Sequence, residues 1–188
     1  MLHRWLQFCA WLALVTALAP ALGAPVPGAS VSDPSAASDA AYALPPPLQR
    51  QAAPGFTLTS LRGRKLTLAQ DRGKVVLLDF WAVDCGGCKI EIPWYVEFDR
   101  KYRSQGLALI GVDMYGESPA KILPFMAKAQ MDYPVAVGTD AVGARFHVTE
   151  MPLTLLIDRK GRVAIAHAGI IDRAQFENDI RALLAEKE

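Results

Sequence analysis

The sequence predicts an α/β domain: a central mixed sheet flanked by helices, with a β-hairpin extension at its N-terminal end. Three observations carry this. Val75–Phe80 and Leu107–Val112 are near-continuous apolar runs, the mark of strands covered on both faces. Each is followed by a stretch that reads as a helix, and the chain closes with a hairpin and one more helix. The order βαβα, then hairpin, then helix gives a mixed sheet with helices on both faces.

The elements follow in order. Phe56-Thr57-Leu58-Thr59 alternates, Gly63 supplies a turn, and Lys65-Leu66-Thr67-Leu68 alternates again, which is a hairpin pattern. After the first buried strand, Cys85 to about Ser104 reads as a helix leading into the second strand. Ser118 and Pro119 supply an N-cap and an N1 proline for the next helix, and Pro124 inside it predicts a kink or a split. Tyr133–Val137 reads as a short strand and Ala141–Phe146 as a helical turn. Leu153–Asp158, a turn at Lys160-Gly161 and Val163–Ala166 form a second hairpin. Asp172, with Gln175 three residues on, opens the last helix, whose apolar stripe is Phe176, Ile180, Leu183 and Leu184.

This folded domain is expected over residues 54–188, and what precedes it differs in character. Arg4 is followed by a stretch without charge from Trp5 to Ser32, most apolar at Trp11–Leu18, and small residues surround Gly23. Residues 1–23 therefore read as a signal peptide cleaved after Gly23 or as an uncleaved membrane anchor. The 20 residues from Trp5 to Ala24 are about enough to span a bilayer, so a membrane tether through residues 5–24 stays open. Cys9 lies in this segment behind bulky Phe8, a poor place for lipidation, and reads as a passive apolar residue. Residues 24–53 are rich in Ala, Pro and Ser, have no hydrophobic period and read as a semi-extended tether or a disordered leftover of secretion.

Composition narrows the function classes. In 188 residues, 20 basic side chains face 19 acidic ones, a net charge of +1, which points to no nucleic-acid partner. The chain is 52% hydrophobic, enough for a real core, and it has no internal repeat, GxGxxG, P-loop or heptad pattern. Beyond Cys9 the cysteines are Cys85 and Cys88, spaced CxxC, leaving none for a structural disulfide. An exported protein with one such pair is expected to use it chemically.

Thiol–disulfide exchange needs an exposed thiolate to attack and a second thiol to resolve the mixed disulfide. A CxxC at a helix start meets both needs. The first sulfur lies where unpaired N–H groups and the helix dipole favour its anion, and the second faces the same side three residues on. The competing account is half a zinc site, but the domain offers only His147 and His167 as further soft ligands. Both histidines fit structural or exposed roles better.

The segment Leu78-Asp79-Phe80-Trp81-Ala82-Val83-Asp84-Cys85-Gly86-Gly87-Cys88-Lys89 resembles the active-site segment of thioredoxin. Glu91 and Pro93, Val112–Ser118 and Met151–Asp158 resemble the exported TlpA/ResA-like branch of that superfamily, and the match runs from about Ala53 to Leu184. The resemblance implies a thioredoxin-like fold and a thiol–disulfide oxidoreductase. It makes Cys85 the attacking thiol and Cys88 the resolving one, with their redox-active disulfide and no further cofactor. Pro152 would be the family's cis-proline, beside which a substrate chain pairs with the backbone of Met151. Asp79 matches the buried acid behind the active site, and Glu117 the acid that the branch keeps near its cysteines; both are candidates for the same proton.

Two residues depart from the family pattern inside the motif. Asp84 replaces the usual aromatic before the first cysteine, and its carboxylate opposes a Cys85 thiolate. Gly87 replaces the common proline, so Gly86-Gly87 is expected to loosen the helix start.

By resemblance the expected activity is a disulfide reductase in the periplasm or another extracytoplasmic compartment. It would act on client protein disulfides such as those of apocytochrome c and be re-reduced by a membrane thiol-reducing electron donor. Two alternatives stay beside it. One is a disulfide donor or isomerase of the same fold, whose usual inserted helical domain is missing. The other is a copper-binding assembly factor using the two thiolates, with Met114 or Met151 assisting. A thiol peroxidase is disfavoured, because the pattern Pro-x-x-x-Thr-x-x-Cys is absent.

Overall fold

A computed structural model describes residues 44–187 of the protein. The signal-or-anchor segment, Cys9 and tether residues 24–43 lie outside the described residues. No helix among the described residues is long and apolar enough to cross a membrane.

A five-stranded sheet forms the centre. Its strands are β3 (Val75–Trp81), β4 (Leu107–Asp113), β5 (Val135–Val137), β6 (Leu153–Ile157) and β7 (Val163–Ala168), in the order β5-β4-β3-β6-β7. β3 pairs parallel with β4, and β4 with β5, whereas β6 runs antiparallel to both β3 and β7. β1 (Leu58–Thr59) and β2 (Lys65–Leu66) make the separate two-stranded hairpin. The sheet is mixed, as the order of the elements predicts. Every residue of β3 is buried, because both its neighbours are strands and both its faces are covered.

Alternation along β3 sends successive side chains to opposite cores. Val75, Leu77 and Trp81 meet Ile92, Tyr95 and Phe98 of α1 (Gly86–Tyr102). The same core takes Ile122 and Met126 of α2 (Pro119–Ala129) and Phe176, Ile180 and Leu183 of α4 (Arg173–Ala185). Val76, Leu78 and Phe80 point the other way, to the hairpin and to Val142 and Phe146 of α3 (Asp140–Phe146). Asp79 therefore lies between Leu77 and Trp81 on the α1 face.

Local chemistry sets the helix ends. Asp172 caps α4 by accepting the Gln175 N–H at 2.8 Å, and Thr139 caps α3 by accepting from Val142. α2 begins at Pro119 as expected but is not split at Pro124. That proline lies on the exposed side with Ala120, so the carbonyl left without its helical donor meets water.

The structure also shortens the tether. Its described end, residues 44–53, is docked rather than free. The buried Arg50 guanidinium donates to Asp158 at 3.2 Å and to both Glu186 oxygens at 2.6 and 2.8 Å, and its Nε donates to the Pro45 carbonyl at 2.9 Å. Ala52 then bridges Arg162 beside β7. Hydrophobic periodicity could not show this attachment, because an arginine and backbone groups make it.

Candidate functional site

β3 ends at Trp81, a short loop follows, and Cys85 is the N-cap of α1. Cys85 and Cys88 are joined as a disulfide, with Cα atoms 5.3 Å apart. The Cys88 N–H donates to Cys85 Sγ at 3.1 Å, so the first sulfur occupies the place of a capping oxygen, where the helix field favours an anion. Cys85 keeps 9% of its surface open and Cys88 only 1%, an asymmetry that suits an attacking and a shielded thiol.

Three further segments close around this pair. The Met151–Pro152 peptide is cis, and Pro152 packs on Gly87. A Cβ at Gly87 would stand 2.9 Å from Pro152 Cδ and 3.3 Å from Ile170 Cγ1, whereas a Cβ at Gly86 would meet nothing within 4 Å. The two glycines thus differ. Gly86 is a free position, and Gly87 is where the helix start and the Pro152 loop come too close for a side chain.

Behind the disulfide lie two buried acids. Asp79 is 1% exposed and neither of its carboxylate oxygens finds a protein partner. Burial, and then the nearby Glu91, push its carboxyl well above the ordinary range, so it holds its proton. Glu91, one helical turn after Cys88, is fully buried and accepts the Ile171 N–H at 2.7 Å. Its other oxygen has no partner, and burial raises its carboxyl despite that hydrogen bond. Across the sheet from Asp79, Thr154 is bonded to the Tyr95 hydroxyl at 2.8 Å. In the sequence Glu91 stands out only through the family resemblance; its i, i+3 spacing from Cys88 is the local signal that puts it on the same helix face.

Glu117 stands on the other side of the active-site loop. Its Oε2 accepts the Val83 N–H at 2.7 Å, and its own N–H donates to Asp113 Oδ1 at 2.9 Å. Burial pushes Glu117 up, but the Lys121 ammonium and the Val83 N–H together hold it below the usual carboxylate range. Asp113 moves the other way, raised by burial to about 6. Lys121 Nζ lies 2.5 Å from Glu117 Oε1 and 2.6 Å from Asp84 Oδ2. The exposed Asp84 therefore has a cation on it, whose hydrogen bond lowers its pKa. No sequence pattern links Lys121 to a loop 37 residues away.

The remaining candidates lie outside this constellation or at its edge. His147 ends α3 in the left-handed region at φ 54°, and the half-buried His167 ring approaches the Ile170 carbonyl at 3.2 Å. Met114 packs over Gly138 and Gly143.

Comparison with known proteins agrees with this geometry. The AhpC/TSA family model matches residues 50–166. The thiol-disulfide oxidoreductase ResA of a Bacillus cereus strain is 32% identical over 133 residues, which cover 70% of this chain and 76% of that protein. The thioredoxin-like protein YneN of Bacillus subtilis is 29% identical over 132 residues, covering 69% of this chain and 77% of its own. A Chlorobium tepidum crystal structure with a provisional DsbE assignment superposes with a TM-score of 0.67 at 30% identity, covering 72% of this chain and 97% of that one. A second structure from Chlorobium tepidum, a thioredoxin family protein, gives 0.67 at 24% identity over 73% of this chain and 98% of that one, which speaks to the fold alone. With a thioredoxin-like fold and its only described cysteines paired at a helix cap, the chain belongs to the AhpC/TSA family and is a ResA-like thiol–disulfide oxidoreductase.

Proposed function

We propose that the protein is a disulfide reductase of an extracytoplasmic compartment such as the periplasm, with Cys85 as nucleophile and Cys88 as resolving thiol. The observation that carries the reading is the pair's asymmetry at the start of α1. Cys85, the cap, is the more accessible of the two and Cys88 lies beneath it, in a core that also holds the buried acids Asp79 and Glu91. In the reduced protein the Cys85 thiolate attacks one sulfur of a client disulfide, and the other client sulfur leaves as a thiolate. Cys88 then loses its proton and attacks the Cys85 sulfur. The Cys85–Cys88 disulfide forms, the second client thiolate departs, and two electrons have passed to the client.

Each flanking group has a part in this scheme. Pro152 and the Met151 backbone receive the client chain beside the disulfide. The Cys88 proton passes to whichever of Asp79 and Glu91 is ionised at that moment; burial raises both carboxyls, which makes the ionised form of either the stronger base. Glu117 holds the active-site loop through Val83. A client such as apocytochrome c, re-reduction by a membrane thiol donor, and residues 5–24 as an anchor or a cleaved signal complete the proposal.

The test is a Cys88→Ser trap expressed in cells, read by mass spectrometry. A mixed disulfide through Cys85 that vanishes in a Cys85→Ser/Cys88→Ser control is expected, and its protein partner names the client. Absence of any adduct, together with failure of the wild type to reduce insulin and tight Cu(I) binding by the dithiol, would replace this reading with a copper-binding one.

A further inference from the structure

One cation is tied to both residues that precede the nucleophile. Lys121, in the first turn of α2, reaches Asp84 Oδ2 at 2.6 Å directly. Through Glu117 it also reaches the Val83 N–H: Nζ is 2.5 Å from Oε1, and Oε2 accepts from Val83 at 2.7 Å. The side chains involved differ in exposure, 44% for Lys121, 66% for Asp84 and 6% for Glu117. An exposed ion pair of this kind adds little to stability. Its position gives it another consequence. Cys85 follows Asp84 directly, so whatever charge Asp84 shows is felt at the sulfur.

We propose that Lys121 is a positioning residue for the attack by Cys85, holding the Val83–Asp84 loop through two carboxylates and supplying the positive charge that balances them beside the nucleophile. This rests on the reading of Cys85 as nucleophile and goes beyond it by assigning a residue on a different element to its control. Without the ammonium, Asp84 and Glu117 would be two uncompensated carboxylates held at the loop that leads into Cys85, opposing the favourable field of the α1 N-terminus. Other charges around the site are Lys89 on α1, which acts weakly on Asp84, Asp113 at the end of β4, and the acids Asp79 and Glu91 beneath Cys88. Of these, Lys89 is the only other cation, and its effect on Asp84 ranks below that of Lys121. The aromatic residue usual before the first cysteine needs no such partner; Asp84 does, and Lys121 is placed to be that partner.

The experiment is a thiolate absorbance titration of the reduced full chain at low salt, with stopped-flow attack on a small disulfide at neutral pH. Lys121→Met is expected to raise the Cys85 midpoint by about 0.5–1 unit and slow attack roughly threefold to tenfold, the matching loss of thiolate. Lys121→Arg should keep the wild-type midpoint. Asp84→Asn combined with Lys121→Met should return at least half of the shift, because the carboxylate to be balanced is gone. At about 1 M salt, where the Debye length is about 3 Å, the gap between Lys121→Met and wild type should shrink. An unmoved midpoint in Lys121→Met overturns the proposal, and so does a shift that persists in the double variant, since a merely loosened loop would behave that way. Insulin reduction by the wild type separately tests the reductase reading; its failure would leave the titration interpretable.

Discussion

Replacing Gly87 by alanine sets a Cβ 2.9 Å from Pro152 Cδ and 3.3 Å from Ile170 Cγ1. The nearer atom belongs to a stiff ring, so relief requires the Pro152 loop or the start of α1 to move. Overpacking of this kind costs about 1–3 kcal/mol. Against it stands the smaller conformational freedom of alanine in the unfolded chain, a gain of about 0.4–1 kcal/mol wherever the native backbone suits it. Gly86→Ala supplies the internal reference, because its Cβ meets nothing within 4 Å while its unfolded-state gain is the same. Neither glycine has the positive φ that alanine would resist. The difference between the two variants therefore isolates the contact with Pro152 and Ile170. Gly86→Ala should be neutral to slightly stabilising and Gly87→Ala less stable by about 1–3 kcal/mol, roughly 4–12 °C in Tm for a domain of this size. Urea melts and thermal scans of both oxidised variants, side by side, provide the measurement. Equal stability of the two would refute the close approach and return Gly87 to the role of a loosening residue.

Two further perturbations reach other parts of the structure. Arg50→Ala leaves Asp158, 3% exposed, and Glu186 without the guanidinium that joins them, and losing one partner of a buried ion pair costs about 3–5 kcal/mol. Arg162 still donates to Asp158 at 2.8 Å, so the low end, about 3 kcal/mol, is expected in urea melts, and a loss under about 0.5 kcal/mol would show the docked N-terminal segment to be incidental. Asp79→Asn should change the pH profile of stability. With its folded pKa raised, the wild type keeps this proton while the unfolded chain loses it near pH 3.9, so stability falls as pH rises from there until the folded group titrates, by up to about 1.4 kcal/mol per unit. The variant lacks that slope and should gain on the wild type toward neutral pH, while its rate of insulin reduction drops. Urea midpoints that stay parallel from pH 4 to about 8 would contradict a raised Asp79 pKa.

Much of this protein is legible in its residues because the signals are local. The apolar runs at Val75 and Leu107 are strands covered on both faces, and strand periodicity is a property of the chain itself. Pro119 marks a helix start through its own fixed φ at the first helical position, and Asp172 through a cap whose partner lies within one turn. The CxxC spacing puts two sulfurs at one helix start for the same reason. What the sequence could not show depends on residues far apart meeting. The distinction between Gly86 and Gly87 comes from Pro152 and Ile170, more than 60 positions on. Ile171 supplies the hydrogen bond to Glu91 from another element, and Arg50 turns a Pro-rich stretch into docked structure through Asp158 and Glu186. Asp84 shows the division most directly. Its sequence position says that a carboxylate precedes Cys85 and opposes a thiolate there. Only the tertiary structure, by laying the first turn of α2 beside the active-site loop, brings Lys121 within 2.6 Å, and at that separation Coulomb attraction changes the charge the sulfur meets.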